Sequence, residues 1–153
     1  MKRSSQNGKE NGGAMKEKWI PWKIIDLQGR HSYMSSIIDD PDGFKVIMPV
    51  KNFIEIEINF PTGVLAYHCL EESLVLDRFG EIAKKYGVDF LRNNQFFIVE
   101  DSGYVDYLEK NAGGIFSKDD MIHYAIIDDD YLLDIVCTYE PQITIRNIVK
   151  KSE

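Results

Sequence analysis

Three histidines and two cysteines give this 153-residue chain its widest chemical range: His31, His68, His123, Cys69 and Cys137. A structural zinc site gathers four such ligands at recurring spacings, and neither Cys-x-x-Cys nor His-x-x-x-His occurs. His68 and Cys69 are adjacent within a strand-like run. Their side chains therefore leave opposite faces and share neither an ion nor a substrate atom from there. The same facing separates the one adjacent thiol and base, the pair that cysteine catalysis requires. Ser102 precedes Gly103 without the Gly-x-Ser-x-Gly frame of a nucleophile elbow, and its neighbours imply no base. No Gly-x-x-x-x-Gly-Lys phosphate loop is present, and Gly113-Gly114 reads as a helix stop. The histidines are thus expected to be structural, with no metal, no cofactor and no catalytic set. The chain reads as a non-enzyme.

Carboxylates remain, and nucleases and glycosidases are built from them. Asp42 with Glu55-Ile56-Glu57 comes near the Asp…Glu-x-Lys set of restriction-type nucleases, but Glu57 stands where lysine is needed. Strand alternation already explains both glutamates as the wet side of a strand. Asp128-Asp129-Asp130 lacks the alternating ligands, glycine and distant glutamate of a calcium loop. A solvated hairpin tip accounts for it. The better use of the acids is recognition: Glu100-Asp101, Asp119-Asp120 and Asp128-Asp129-Asp130 fall near loops or helix starts, with Tyr104 and Tyr107 close to the first group. Interfaces draw energy from aromatic side chains and steering from charge. Glu100, Asp101, Tyr104, Asp119, Asp120, Asp128, Asp129 and Asp130 form the expected partner-binding set. Structure makes its own claim on them, because Asp101 and Asp119 suit helix N-termini and Tyr104 suits a core.

The elements that must position these groups follow from hydrophobic period. Residues 1–16 are rich in Ser, Asn, Gly and Lys without periodicity and predict a disordered tail. Residues 19–149 predict a single α+β domain. Strand runs cover 19–27, 32–38 and 44–48, and Asp40-Pro41-Asp42-Gly43 places Pro and Gly as a type I turn does. The clearest signal is 53–60, where Ile54, Ile56, Ile58 and Phe60 alternate with Glu55, Glu57 and Asn59. After Pro61-Thr62-Gly63, residues 64–70 are expected to return antiparallel and complete an N-terminal meander. The period then changes: Val75, Phe79, Ile82 and Tyr86 make one helical stripe, with Ser73 as N-cap and Gly87 as an αL stop. Residues 96–99 form a short strand, and Ser102 caps a second helix across Tyr104, Val105, Leu108 and Ala112. A hairpin joins 121–127 to 131–139 across the Asp triplet. After Glu140-Pro141, residues 143–149 form an edge strand. The expected fold is α+β, a mainly antiparallel sheet with two helices packed on one face.

Composition agrees with that fold and narrows the partners. Hydrophobic residues are 44% and charged residues 28%, which separates the chain from disordered sequences. No apolar run approaches a membrane span, and the basic N-terminus lacks the apolar stretch of a signal peptide. A cytoplasmic protein is expected, with Cys69 and Cys137 kept as thiols. Net charge is −7 and unevenly spread: residues 1–18 carry five bases against two acids, while 71–140 carry sixteen acids against six bases. Such a body repels nucleic-acid phosphates and attracts basic proteins.

One resemblance rests on particular stretches. Val99-Glu100-Asp101-Ser102-Gly103-Tyr104 with Leu108, His123-Tyr124-Ala125-Ile126, Asp134-Ile135-Val136 and Glu140-Pro141 together resemble small bacterial immunity proteins that accompany secreted polymorphic toxins. The likeness lies mainly in 96–141 and consists of strand and cap chemistry. It implies a stoichiometric inhibitor that occludes its cognate toxin, acting as a monomer or weak homodimer, and it names no binding residues. The alternative is a small-molecule-binding or regulatory α+β module without catalysis.

Overall fold

The computed structural model describes residues 15–24, 32–50 and 54–148. Among them run β1 (Lys18–Pro21), β2 (Ser36–Asp40), β3 (Gly43–Val50), β4 (Ile54–Phe60), β5 (Ala66–Glu71), α1 (Leu76–Tyr86), α2 (Phe90–Asn93), β6 (Phe96–Glu100), α3 (Gly103–Asn111), β7 (Ile122–Ile127), β8 (Tyr131–Cys137) and β9 (Gln142–Asn147). Single 3-10 turns at Glu72–Leu74 and Lys118–Asp120 precede α1 and β7. The strands build two antiparallel sheets, one in the order β1-β6-β7-β8-β5 and the other β2-β3-β4-β9. The α+β class and the prevailing antiparallel pairing are as the sequence predicts.

Three layers result. Ile56, Ile58 and Phe60 of β4, with Phe44, Val46 and Met48 of β3, meet Tyr124, Ile126, Leu133 and Ile135 between the two sheets. The alternate positions of the five-stranded sheet, Phe97, Val99, Ala125, Ile127 and Leu132, face Ile82, Phe79 and Tyr86 of α1 and Phe90 and Leu91 of α2. β7 and β8 are therefore buried on both faces, which is why they read as continuous apolar runs while β4 alternates. Fully burying each such Ile, Leu or Phe contributes ~1.5–3 kcal/mol. The helical stripe predicted from Val75 to Tyr86 is the face that α1 lays on the sheet.

Four local expectations are revised. Residues 66–71 do not extend the meander: Gly63 N donates to Phe60 O, Leu65 N already donates to Val136 O, and β5 pairs with β8 in the other sheet. The connection spans five residues, too long for a tight two-residue hairpin, and the vacant edge of β4 takes β9 instead. Ser73 does not cap α1; it lies in the 3-10 turn that Glu71 caps, with its own N–H donating to the Glu71 carboxylate at 3.2 Å. Gly87 ends α1 at φ +99°, ψ 157°, a glycine conformation other than αL, while its N–H bonds Ala83 O. The four-residue α2 was invisible to periodicity because it is barely one turn long. Residues 1–14 of the expected tail, the run 25–31 with His31, and 149–153 lie outside the described residues.

Where β3 begins beside the end of β4, the corner is very tight. Gly43 (φ +120°) follows the Pro41-Asp42 turn, and a Cβ there would stand 2.5 Å from the Phe60 carbonyl oxygen. No L side chain fits without moving backbone.

Candidate functional site

Asp134 lies in the middle of β8, inside Leu132-Leu133-Asp134-Ile135-Val136, and is wholly buried. Period two turns it away from the sheet–sheet core and toward the helical layer. A carboxylate there loses its water, so it must be paired and hydrogen-bonded or neutralised. Four bonds meet it. His68 Nε2 on β5 lies 2.6 Å from Oδ2, and His123 Nε2 on β7 lies 2.6 Å from Oδ1. Arg78 of α1 donates to both oxygens, at 2.8 and 3.3 Å. Burial pushes the Asp134 carboxyl upward, but the His123 and His68 hydrogen bonds and the Arg78 charge outweigh it and hold the group well below the ordinary carboxylate range. It is an anion, and an anion only accepts, so both histidine Nε2 atoms donate to it.

The chain of bonds continues. His123 Nδ1 is hydrogen-bonded to Ser102 Oγ at 2.7 Å, and Ser102 Oγ accepts from Val105 N–H at 3.1 Å as the N-cap of α3. Tyr104 stacks on His68 with ring centroids 4.3 Å apart. The Arg78 guanidinium lies 4.9 Å from the Trp19 ring centroid and 3.7 Å from Glu17. Six elements, β1, β5, α1, α3, β7 and β8, are thus tied to one buried charge. Ser102–His123–Asp134 has the hydroxyl–imidazole–carboxylate order by which hydrolases activate a serine. Here the serine is itself buried and its oxygen also caps a helix, and the carboxylate serves Arg78 and a second histidine as well. What the geometry does is clamp the start of α3 onto the sheet.

The clamp fixes an acidic end. Glu100 closes β6, Asp101 follows at φ +50°, and α3 then begins with Asp106 in its first turn. The Lys118–Asp120 turn lies alongside, with Lys118 N donating to the Glu109 carboxylate. Between them opens a recess of about 320 Å³, walled by Ser102, His123, Val105 and Met121 and rimmed by Asp101 and Asp119. Residues 100–120 hold six acids against two bases, and Tyr107 and Ile115 are exposed within the same stretch.

The expected partner-binding residues divide between two places. Glu100, Asp101 and Asp119 are exposed at the acidic end. Asp120 is exposed there too but bonded into its turn, accepting from Ser117 N at 3.2 Å. Tyr104 is half-buried against His68, and Tyr107 is the tyrosine presented outward. Asp128, Asp129 and Asp130 follow β7 at the opposite end of the sheet, since Phe96 pairs with Ile126 and Ile98 with Tyr124. A strand of that length separates the groups by roughly 15–20 Å. Asp128 is also turned inward: it accepts from Met34 N at 2.9 Å, Asp130 N at 2.9 Å and Tyr131 N at 2.7 Å, building the hairpin. The triplet is not a uniformly solvated tip.

Other candidates are dispersed. Glu55 and Glu57 lie on the outer face of β4, where Glu57 pairs with Arg146 at 2.8 Å, and Asp42 lies in the turn beyond β2, far along the sheet from them. Cys69 and Cys137 are free thiols, Cys69 exposed and Cys137 buried. Burial first, then Asp128 and Asp134, raise the Cys69 thiol above its ordinary value, against thiolate formation. Among the described residues no group of three or more His, Cys, Asp and Glu is placed to hold a metal ion, and no helix is long and apolar enough to cross a membrane.

Sequence reasoning missed Asp134, Arg78 and the linking of His68, His123 and Ser102. The available signal was a charged residue in an otherwise apolar five-residue run, which demands buried partners. Compared with family models, curated proteins and solved structures, the chain matches none of them.

Proposed function

We propose that this chain is an acidic protein-binding inhibitor of the immunity type, acting in a bacterial cytoplasm to occlude a cognate toxin of basic surface, such as a nuclease. One observation carries the reading: the end of β6, the start of α3 and the Lys118–Asp120 turn bring Glu100, Asp101, Asp106 and Asp119 around one recess, and Tyr107 and Ile115 are exposed within the same 100–120 stretch. Acids gathered on a surface pinned from beneath provide steering and a pre-formed shape, and the aromatic and aliphatic side chains provide apolar area. Pre-organisation matters because ordering side chains on binding costs ~0.5–1.5 kcal/mol each.

The test is co-purification with the C-terminal domain of a secreted protein encoded beside this gene. A one-to-one complex that blocks the toxin's activity is expected. In stopped-flow mixing, the D101N/D106N/D119N variant should associate about tenfold more slowly at low salt and lose most of its salt dependence. An unchanged rate and salt slope would remove the acidic end from the interface.

A second reading is favoured by the recess itself. At about 320 Å³, with an apolar wall and the Ser102–His123 pair, it has the lower size of a small-molecule site. Thermal-shift screening of metabolites distinguishes this module, because a ligand that binds the native state raises Tm.

A further inference from the structure

The acidic end is not bare: the chain lays its own cations on it. Lys16 Nζ pairs with Asp106 Oδ2, and Lys18 Nζ lies 3.7 Å from Asp101 Oδ2. Lys16 also borders the recess. Between these lysines, Glu17 is firmly seated. Its carboxylate accepts from Gly103 N–H at 2.9 Å and lies 3.7 Å from Arg78, while Lys85 Nζ donates to the carbonyls of Met15 and Glu17. Met15 packs against the helix-side core, and Trp19 follows as a buried member of it. The backbone of 15–19 is therefore held, and what crosses the acidic rim is two long side chains.

Those two side chains are 64% and 61% exposed, and their acids 42% and 50%. Ion pairs this open are weak and yield readily to competing charge. We propose that Lys16 and Lys18 are a built-in, exchangeable mask on Asp106 and Asp101, and that lysine or arginine side chains of a basic protein partner take their place. The inference rests on residues 100–120 being the docking edge and adds how that edge is kept from non-specific basic chains. Exchange requires only rotation of the lysine side chains, because Glu17 keeps the strand entry fixed. A partner must then present at least two cations together to repay the displacement, which a single stray lysine does not.

The probe is a fluorescein-labelled oligolysine peptide, followed by anisotropy at low ionic strength with the full chain. K16Q/K18Q should bind about fivefold more tightly than the natural chain, the gain expected from freeing two exposed pairs. D101N/D106N should bind more weakly, and the quadruple variant should match D101N/D106N. K45Q/K84Q alters net charge equally outside the two masking pairs and should gain no more than about twofold from bulk charge. The mask is overturned if K16Q/K18Q stays within about twofold of the natural chain, if K45Q/K84Q gains as much, if the gain survives in the quadruple variant, or if no form binds the peptide. These outcomes are independent of any toxin. A peptide gain without a toxin complex retires the inhibitor reading and leaves the mask; a toxin complex with no peptide gain does the reverse.

Discussion

Asp134 and Asp101 are the same residue type less than a sheet's width apart, and the fold treats them in opposite ways. Around Asp134, burial forces every bond to be made: two histidines and an arginine converge, and the charge becomes a fastening between layers. Around Asp101, Asp106 and Asp119, water does the solvating, the ion pairs are open to it, and the charge stays available. A buried ion pair is costly to break because the surviving partner is left stranded; an exposed one contributes ~0–1 kcal/mol at most. Stability and recognition are thus carried by the same chemistry at different depths.

The contrast can be broken most forcefully from the inside. Asp134→Ala leaves Arg78 and both histidines without their acceptor and should cost ~3–5 kcal/mol in urea unfolding. A cost below about 1 kcal/mol would mean the cluster is not fastening the layers. Acid probes the same group without mutation. Its folded-state pKa lies below the unfolded value, so the stability it contributes is complete above the unfolded carboxylate range and is lost as pH falls below about 4. Between pH 4 and 2 the natural chain should therefore lose up to ~1.4 kcal/mol per pH unit from this group, and Asp134→Asn should lack that component. Ser102→Ala removes the α3 cap and leaves His123 Nδ1 without its hydrogen-bond partner; about 1–3 kcal/mol is expected by the same melts. At the open end, Asp119→Asn should change stability by less than about 0.5 kcal/mol, and differential scanning calorimetry that showed more would erase the distinction.

Much of the fold could be read directly, for reasons that also say where reading stops. The Ile54-to-Phe60 alternation, the Pro41-Asp42 turn, the Val75-to-Tyr86 stripe and the Ser102 cap are local patterns, and each is present. Strand pairing is not local. Residues 66–71 find their partner in β8 and β4 finds its second partner in β9, and only the packing of two sheets decides that. The acidic end was legible as composition, and Glu100, Asp101, Asp119 and Asp120 were named from it, whereas Asp106 in the first turn of α3 was not. Its separation from Asp128–Asp130 depends on the antiparallel course of β6 and β7. The Ser102–His123–Asp134 chain was hidden because its members lie on three elements with no shared spacing, although Asp134 among Leu133 and Ile135 marked its centre.

The strand order has a kinetic side. Trp19 pairs with Val99 and Ile56 with Ile145, so each sheet is completed by a contact between distant parts of the sequence. Chains dominated by such closures fold slowly, in milliseconds to seconds. On a ribosome, the apolar alternation of β4 must wait with one edge unmatched until β9 emerges. That interval is when this protein is most prone to misassociate with another chain.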